Sequence, residues 1–427
     1  MQPLIAILRC ATGAAAFLAA SMVAIPALAQ SQGAQADPPP FSAEGTYEGS
    51  FKDGVPHGQG SYRLPNGYEY QGQWVEGEIQ GTGRARFADG SVYEGAFLEG
   101  KPHGVGKITF ADGNSYEGDW VNGKITGMGI AHYDGGRYYE GAFLDSLPHG
   151  MGVMHQADGG VYDGQWVAGA MQGHARIVFA DGSIYEGLVA DGVQEGRGKM
   201  TSAQGHVYEG HFRAGTRHGQ GVLRMAEGPV YEGTWADGVL QGMGKVTYGD
   251  MSVYEGQFKD NRPHGAGRMV YADGGVYDGA WNEGRIEGLG MLRRSDGTTY
   301  EGGFHDGHYH GQGVLTHPDG YRYAGEWRHG KRHGEGRANY ADGAVYVGGF
   351  VDDVPHGTGE ITQADGFRYR GAWAHGKIEG KGVITYANGD VYEGTFKDGQ
   401  IEGAGRLTFA REATAAAPAG DEGAEGN

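Results

Sequence analysis

Residues 93–106 read YEGAFLEGKPHGVG, and this stretch decides the fold of the whole chain. Its Tyr-x-Gly element returns sixteen times at an unbroken spacing of 23 residues. The sixteen tyrosines are Tyr47, Tyr70, Tyr93, Tyr116, Tyr139, Tyr162, Tyr185, Tyr208, Tyr231, Tyr254, Tyr277, Tyr300, Tyr323, Tyr346, Tyr369 and Tyr392. A fixed period of this length is typical of stacked supersecondary units that bury apolar surface against their neighbours. The sequence therefore predicts a tandem array rather than a globular enzyme.

Within one repeat, apolar and polar residues alternate as they do in a β-strand. In the first repeat Tyr47, Gly49 and Phe51 fall on one face of such a strand. The chain is predicted to turn at Asp53-Gly54, near His57-Gly58 and at Asn66-Gly67, because Asx-Gly pairs supply positive φ angles. We therefore expect an all-β protein, an elongated β-hairpin solenoid of about 16 repeats that forms a single twisted antiparallel sheet of roughly 32 strands.

Three repeats lack the glycine of the first turn. Asn261 and Asp353 replace it in two of them, and both residue types tolerate the left-handed conformation. Ser146 replaces it in the third, where the sequence offers no reason.

The pattern Tyr-Glu-Gly-x-Phe/Trp-x-x-Gly-x-x-His/Gln-Gly-x-Gly, followed by Asp-Gly, resembles the MORN repeat (membrane occupation and recognition nexus). The resemblance covers residues 45–410 and points to a bacterial, exported member. It implies a grooved β-hairpin solenoid that self-associates and serves as a scaffold, with phosphoinositide binding claimed for some members. Catalytic segments that some family members carry outside their repeats have no counterpart in this sequence.

The ends of the chain differ from the array. Residues 1–29 combine a lone basic Arg9, an apolar stretch over residues 11–25 and Ala27-Leu28-Ala29, the layout of a cleavable secretory signal peptide. We predict cleavage after Ala29 and a periplasmic or secreted protein; an uncleaved membrane anchor is the alternative. Residues 30–44 are predicted to be a flexible linker, and residues 411–427 a disordered acidic tail rich in Ala and Gly. The only cysteine, Cys10, lies inside the signal, so no disulfide is expected.

The formal net charge of -19 argues against a nucleic-acid partner and against unaided adsorption to anionic lipid. The residue after the tyrosine is acidic in twelve repeats, and alternation places it on the face opposite the rings. This acidic stripe either collects cations or a basic partner, or is a solvated face balanced by residues such as Lys107, Lys199 and Lys245. We favour the balanced face.

Four residues after each tyrosine, phenylalanine and tryptophan alternate, so that the larger unit is a pair of hairpins. All seven tryptophans stand in this column: Trp74, Trp120, Trp166, Trp235, Trp281, Trp327 and Trp373. Val189 breaks the alternation in the repeat at residues 185–207, which is either the softest joint of the array or a strand in which Val189 packs with Leu188. The rings form the core, or they form both core and an aromatic groove that grips a peptide, a glycan or lipid chains.

Ten residues after the tyrosine, histidine recurs at His57, His103, His149, His218, His264, His310, His333 and His356. Successive repeats lie about 10 Å apart, too far for these side chains to share ions, so a role in the turn is favoured. The densest cluster, His305, His308 and His310 with His329 and His333, is a weak metal candidate. No nucleophile with its base and no phosphate-binding loop is recognised, so neither a catalytic activity nor a cofactor is expected.

The sequence thus favours a non-catalytic periplasmic scaffold that binds as yet unnamed proteins along its face. Unpaired end strands near Tyr47 and Leu407 make a homodimer the expected oligomer. The alternative is a module that binds lipid or cell-wall glycan, with weak association to membrane or peptidoglycan.

Overall fold

A computed structural model describes residues 44–410 of the chain, which fold into 32 β-strands and one 3₁₀ turn at Asp134–Gly136. The predicted signal peptide with Cys10, nearly all of the linker and the acidic tail lie outside the described residues. Within them, no helix has the length and apolar character needed to cross a membrane. The all-β hairpin array that the sequence predicts is confirmed.

The chain divides into two units, and the boundary lies between Gly249 and Asp250. The strands of the first unit are β1 (Thr46–Lys52), β2 (Val55–Arg63), β3 (Glu69–Val75), β4 (Glu78–Arg86), β5 (Val92–Leu98), β6 (Lys101–Thr109), β7 (Ser115–Val121), β8 (Lys124–His132), β9 (Tyr138–Leu144), β10 (Leu147–His155), β11 (Val161–Val167), β12 (Ala170–Val178), β13 (Ile184–Ala190), β14 (Val193–Thr201), β15 (Val207–Arg213), β16 (Thr216–Arg224), β17 (Val230–Ala236) and β18 (Val239–Thr247).

The strands of the second unit are β19 (Val253–Lys259), β20 (Arg262–Val270), β21 (Val276–Asn282), β22 (Arg285–Arg293), β23 (Thr299–His305), β24 (His308–Thr316), β25 (Arg322–Arg328), β26 (Lys331–Asn339), β27 (Val345–Val351), β28 (Val354–Thr362), β29 (Arg368–Ala374), β30 (Lys377–Thr385), β31 (Val391–Lys397) and β32 (Gln400–Thr408). Within each unit every strand pairs antiparallel with the strands before and after it in the chain. Each repeat is therefore one β-hairpin, as predicted.

The tight turn inside each hairpin is the one that the sequence predicts. In the first hairpin Asp53 and Gly54 both have positive φ, 53° and 81°, as a type I′ turn requires. Ser146 adopts the same conformation, with φ 65°. Its backbone N–H donates to the carbonyl of Ile125 at 2.8 Å, and its Oγ accepts from the Ile125 N–H at 3.3 Å. The backbone bond is also made by the glycines at this position in other repeats, so the hydroxyl bond is the feature that serine adds at this turn.

The turn predicted near His57-Gly58 is wrong. Residues 55–63 form one continuous strand, β2, and the irregularity within it is a bulge. Gly49 pairs with Gly60 and Phe51 with Pro56, so that one residue of β1 faces three residues of β2. Gly58 has φ 81° in this bulge, which explains the recurrent glycine there without a turn.

The tyrosine ring packs directly on the two glycines that follow it in the repeat. In the third repeat Gly95 pairs with Gly106 across β5 and β6, and a Cβ built on either glycine would overlap Tyr93. The Tyr93 hydroxyl donates to the carbonyl of Ala96 at 2.9 Å, so the buried phenol is satisfied within its own hairpin. Both glycines are therefore required by close approach of the ring rather than by flexibility.

We expect Gly106→Ala to destabilise the protein by about 1–3 kcal/mol or more, because the added methyl group must displace a buried ring held between backbones. Gly249→Ala is the control, since a Cβ there meets no atom within 4 Å. Thermal and urea unfolding of the full chain, followed by circular dichroism, measures both. Equal stability of the two variants would contradict the packing role assigned to Tyr93.

Candidate functional site

The two faces of each sheet differ in chemistry. In β5, Tyr93 and Phe97 are buried whereas Glu94 is exposed, and the same alternation recurs along both units. We call the face that carries the tyrosines and the Phe/Trp column the ring face. The opposite face, which carries the residue after each tyrosine, is the polar face.

On the ring face the aromatic side chains form edge-to-face ladders. Tyr93 lies 5.0 Å from Phe97 of its own hairpin and 5.1 Å from Trp120 of the next, measured between ring centroids. Such contacts contribute about 0.5–1.5 kcal/mol each beyond area burial. Burial raises the pKa of Tyr93 and of most other tyrosines in the column, and that of Tyr208 to about 12. The ring face is therefore the core of a protein that has only one sheet layer per unit.

The break at repeat seven interrupts this ladder without breaking the strands. Val189 is buried on the ring face, and Tyr162 makes a ring contact with Trp166 of its own hairpin. Leu188 lies on the opposite face, where its side chain approaches Gly196. The suggestion that Val189 packs with Leu188 is thus wrong, because neighbouring residues of a strand point to opposite faces. That this repeat is the softest joint stays a prediction.

The seven tryptophans proposed as a ligand groove all lie on the ring face, with only 1–8% of each side chain exposed. Each indole Nε1 donates to a glycine carbonyl of the preceding hairpin, for example Trp166 to Gly152 at 3.0 Å and Trp281 to Gly267 at 3.1 Å. The same bond is made by Trp74, Trp120, Trp235, Trp327 and Trp373. Their position shows that the tryptophans pack in the core. That they also contact a ligand stays a prediction.

The polar face carries cross-strand ion pairs. The Arg84 guanidinium lies 2.8 Å from the Glu94 carboxylate, and the Lys107 ammonium lies 3.2 Å from that of Glu117. Lys199 pairs with Glu209 at 3.7 Å, and Lys245 stands directly opposite Glu232 in the register of β17 and β18. Over much of the first unit, bases thus neutralise the acidic stripe, as the balanced-face interpretation expects. Exposed pairs of this kind contribute about 0–1 kcal/mol each.

Two long grooves lie on this polar face, one within each unit. The first groove runs from β10 to β17 with a volume of about 1000 Å³, and its charged lining consists of Asp163, Arg176, Glu186, Arg197, Lys199, Glu209 and Glu232. The second groove runs from β21 to β27 with a volume of about 1040 Å³, and its charged lining consists of Asp278, Glu301, Glu326, Glu335 and Arg337. None of the seven tryptophans lines either groove. Sequence reasoning placed the candidate groove on the other face.

The sequence feature that indicates a binding surface on the polar face, and that the prediction overlooked, is the central residue of each Gly-x-Gly. Val105, Met128 and Met151 occupy it in three successive repeats and are 68%, 60% and 58% exposed. They project from the polar face, because the glycine that follows each of them faces a tyrosine ring and neighbouring residues of a strand alternate between faces. Exposed aliphatic side chains in neighbouring repeats mark a surface suited to contact with a partner.

Three members of the histidine column contact the neighbouring hairpin through Nδ1. His57 Nδ1 lies 3.5 Å from the backbone nitrogen of Glu76, the first turn residue of the next hairpin, and His103 and His149 repeat this contact. Where glutamate takes the position, the bond is shorter: the Asp306 N–H donates to Glu287 Oε2 at 2.9 Å. For these three histidines, the predicted role in their own turn is therefore corrected to a contact with the turn of the next hairpin.

The metal candidate at His305, His308 and His310 is not supported. No group of three or more His, Asp or Glu residues suited to a metal ion occurs within residues 44–410. His305 Nδ1 bonds Glu287 Oε1 at 2.8 Å, and His308 Nδ1 lies 2.9 Å from the Asp306 carbonyl oxygen. The rings of His305 and His310 are 5.4 Å apart and tilted rather than converging on a point.

The hydrogen bond between His305 and Glu287 shifts the pKa of both side chains. Hydrogen bonding to Glu287, together with its charge, raises the pKa of His305, while the Asp306 N–H and His305 lower the pKa of Glu287. The contribution of His305 to stability is fully present below its unfolded pKa and is lost as pH rises through the raised value. That of Glu287 is lost as pH falls through its lowered pKa.

We expect NMR titration of His305 to give a pKa above 6.5, the ordinary value of histidine. In Glu287→Gln the pKa should fall toward that value, because the amide supplies no negative charge. Glu255→Gln, the same change of charge on β19, is the control and should leave the pKa of His305 raised. An unchanged pKa of His305 in Glu287→Gln would show that the pair does not form in solution.

A tandem array of hairpins with a packed ring face and an open, grooved polar face defines the class of β-solenoid repeat proteins. The MORN repeat model matches most of the chain, and the chain belongs to the MORN repeat family. The matched segments are residues 47–67, 70–92, 93–115, 116–136, 139–161, 162–184, 185–207, 208–229, 231–250, 254–276, 277–299, 300–320, 323–345, 346–368, 369–391 and 392–412. Repeats of this kind indicate a scaffold or interaction protein.

No curated protein sequence matches the chain. Among solved structures, the chain is similar to the TCP10 domain of Danio rerio CPAP in complex with a STIL peptide, at 14% identity and a TM-score of 0.20, over 62% of this chain and 97% of that one. It is also similar to virginiamycin B lyase from Staphylococcus aureus, at 10% identity and a TM-score of 0.11, over 57% of this chain and 83% of that one. Similarities this low carry no functional argument.

Proposed function

We propose that this MORN-repeat protein is a non-catalytic scaffold of the bacterial periplasm that binds other proteins on its polar face. The observation that carries the proposal is the row of exposed Val105, Met128 and Met151 on that face. The core requires none of these side chains, since the rings pack on the other side of the sheet. The layout of residues 1–29 supports export.

Protein binding is favoured over lipid or glycan binding because the indole rings of the tryptophans are buried and leave little surface for a ligand to stack on. Their Nε1 atoms are bonded to backbone carbonyls and their rings contact tyrosines. The net charge of -19 also opposes binding to anionic lipid. The lipid- or wall-binding module remains the second outcome of the test below.

The test is capture of envelope proteins by purified residues 30–427. Met128→Glu with Met151→Glu should reduce specific capture about tenfold, because each change places an unpaired charge at the centre of an apolar contact. Met251→Glu is the control: Met251 is 74% exposed, at least as much as Met128 and Met151, but lies in a turn, outside both grooves. Co-sedimentation with liposomes and peptidoglycan is run beside it. Sedimentation with either, without protein capture, would overturn the scaffold proposal.

We also propose that the protein forms homodimers through its end strands. The strand β32 pairs with β31, and within residues 44–410 no strand pairs with its other edge. All of its residues are exposed, including Ile401 and Leu407. An open edge with apolar side chains favours pairing with a second copy.

For the dimer, small-angle scattering of the chain should give about twice the monomer mass. Ile401→Glu with Leu407→Glu should give the monomer mass, because like charges would face each other across the new pairing. Val121→Glu, a change at an exposed position of the interior strand β7, should leave the dimer intact. A monomeric unmodified protein would remove the proposal.

A further inference from the structure

The second groove differs from the first in the chemistry of its floor. Leu289, Met291 and Val347 line it and are 76%, 49% and 46% exposed. Val314, which also lines the groove, stands between Glu301 and Ala324 on the two adjacent strands. The groove therefore exposes a strip of aliphatic surface that no described residue covers.

The walls of this groove are acidic, and of their four carboxylates only that of Asp278 stands opposite a base, Arg268 on β20. In most repeats an acidic residue after the tyrosine faces a lysine or arginine across the strands. Glu301 instead stands between Met291 on β22 and Val314 on β24. The register sets Glu326 opposite Gln312 and Glu335 opposite Gly349, so neither faces a base there.

The residues that line the second groove carry more negative than positive charge. Its lining includes four carboxylates, of Asp278, Glu301, Glu326 and Glu335, against the single guanidinium of Arg337. Arg337 stands between Ala324 and Val347 in the register, and its Nε donates to Asn339 Oδ1 at 3.1 Å. Clustered carboxylates that repel one another favour a cationic occupant.

The first groove supplies the comparison. It has nearly the same volume, yet Arg176 pairs with Glu186 at 3.6 Å and Lys199 with Glu209 at 3.7 Å. Its Arg197 adds a third base. Four acidic side chains are thus set against three basic ones, and the face is close to neutral.

From these observations we infer that the second groove binds a cationic segment of another protein whose basic side chains alternate with apolar ones. The inference rests on the proposed function and gives the partner's chemistry at one site. Six strand-to-strand steps of about 4.8 Å make the groove about 29 Å long, which roughly nine residues of extended chain span. The apolar side chains of the bound segment would contact the aliphatic floor at Leu289 and Met291. Its basic side chains would contact the carboxylates of the walls.

The probe is a fluorescein-labelled nine-residue peptide in which lysine and leucine alternate, titrated with the full chain by fluorescence anisotropy. Saturable binding is expected, and it should weaken as ionic strength rises to 1 M, where the screening length is about 3 Å. Glu301→Gln, Glu326→Gln and Glu335→Gln together should raise Kd about tenfold or more. Leu289→Ser should weaken binding as well, since the floor loses its most exposed apolar side chain.

The matched control changes the same number of charges in the first groove: Glu186→Gln, Glu209→Gln and Glu232→Gln. It should leave Kd unchanged, which separates a site from the effect of overall charge. A nine-residue lysine peptide should bind more weakly than the alternating one. Absence of binding, equal loss in both triple variants, or equal binding of the lysine peptide would each overturn the inference.

The two proposals fail separately. If the peptide binds at the second groove but no envelope protein is captured, the scaffold function fails and the chemistry of the groove stands. If proteins are captured at Met128 and Met151 while the peptide does not bind, the function stands and the inference fails.

Discussion

The contact between each tyrosine ring and a pair of glycines is the constraint on which the structure depends. Tyr93 lies against Gly95 and Gly106, so closely that neither glycine accepts a side chain. The ring thereby takes its place in the ladder between Phe97 and Trp120. Because the contact is made inside one hairpin and the ladder joins one hairpin to the next, repeating the sequence repeats the structure.

A sheet with one layer has to make its core from a single face. Here the rings pack on that face, and in most repeats their polar atoms bond the backbone, as the Tyr93 hydroxyl does with Ala96 and Trp120 Nε1 with Gly106. The opposite face carries no part of the core. Its side chains are therefore free to differ between repeats at little cost in stability, which makes it the face on which recognition can evolve.

Local rules were sufficient to predict the hairpins and their tight turns, because turn chemistry is determined by a few adjacent residues such as Asp53 and Gly54. They were insufficient at His57-Gly58, where glycine in a bulge and glycine in a turn look alike in sequence. Distinguishing them needs the register, which sets Gly49 opposite Gly60. The contact of His57 with the following hairpin was likewise invisible, since it joins residues 19 positions apart.

The sequence also suggested a groove on the ring face, whereas the two grooves described above lie on the polar face. Aromatic residues are conspicuous in a sequence, and their column suggested a binding surface, but in this fold the rings pack in the core beside aliphatic residues such as Leu240. The differences between repeats that distinguish the two grooves lie at less conspicuous positions. Positions twelve and fourteen after the tyrosine hold Arg197 and Lys199 in the first groove, and Leu289 and Met291 in the second.

That contrast separates what the family determines from what it leaves open. Both grooves have the same backbone, the same glycine pairs and nearly the same volume, yet one is balanced in charge and the other is acidic with an aliphatic floor. The residues that define a MORN repeat are those of the ring face and the turns, and they are the same in both. Membership of the family therefore fixes the fold, while the choice of partner depends on side chains that the repeat pattern does not specify.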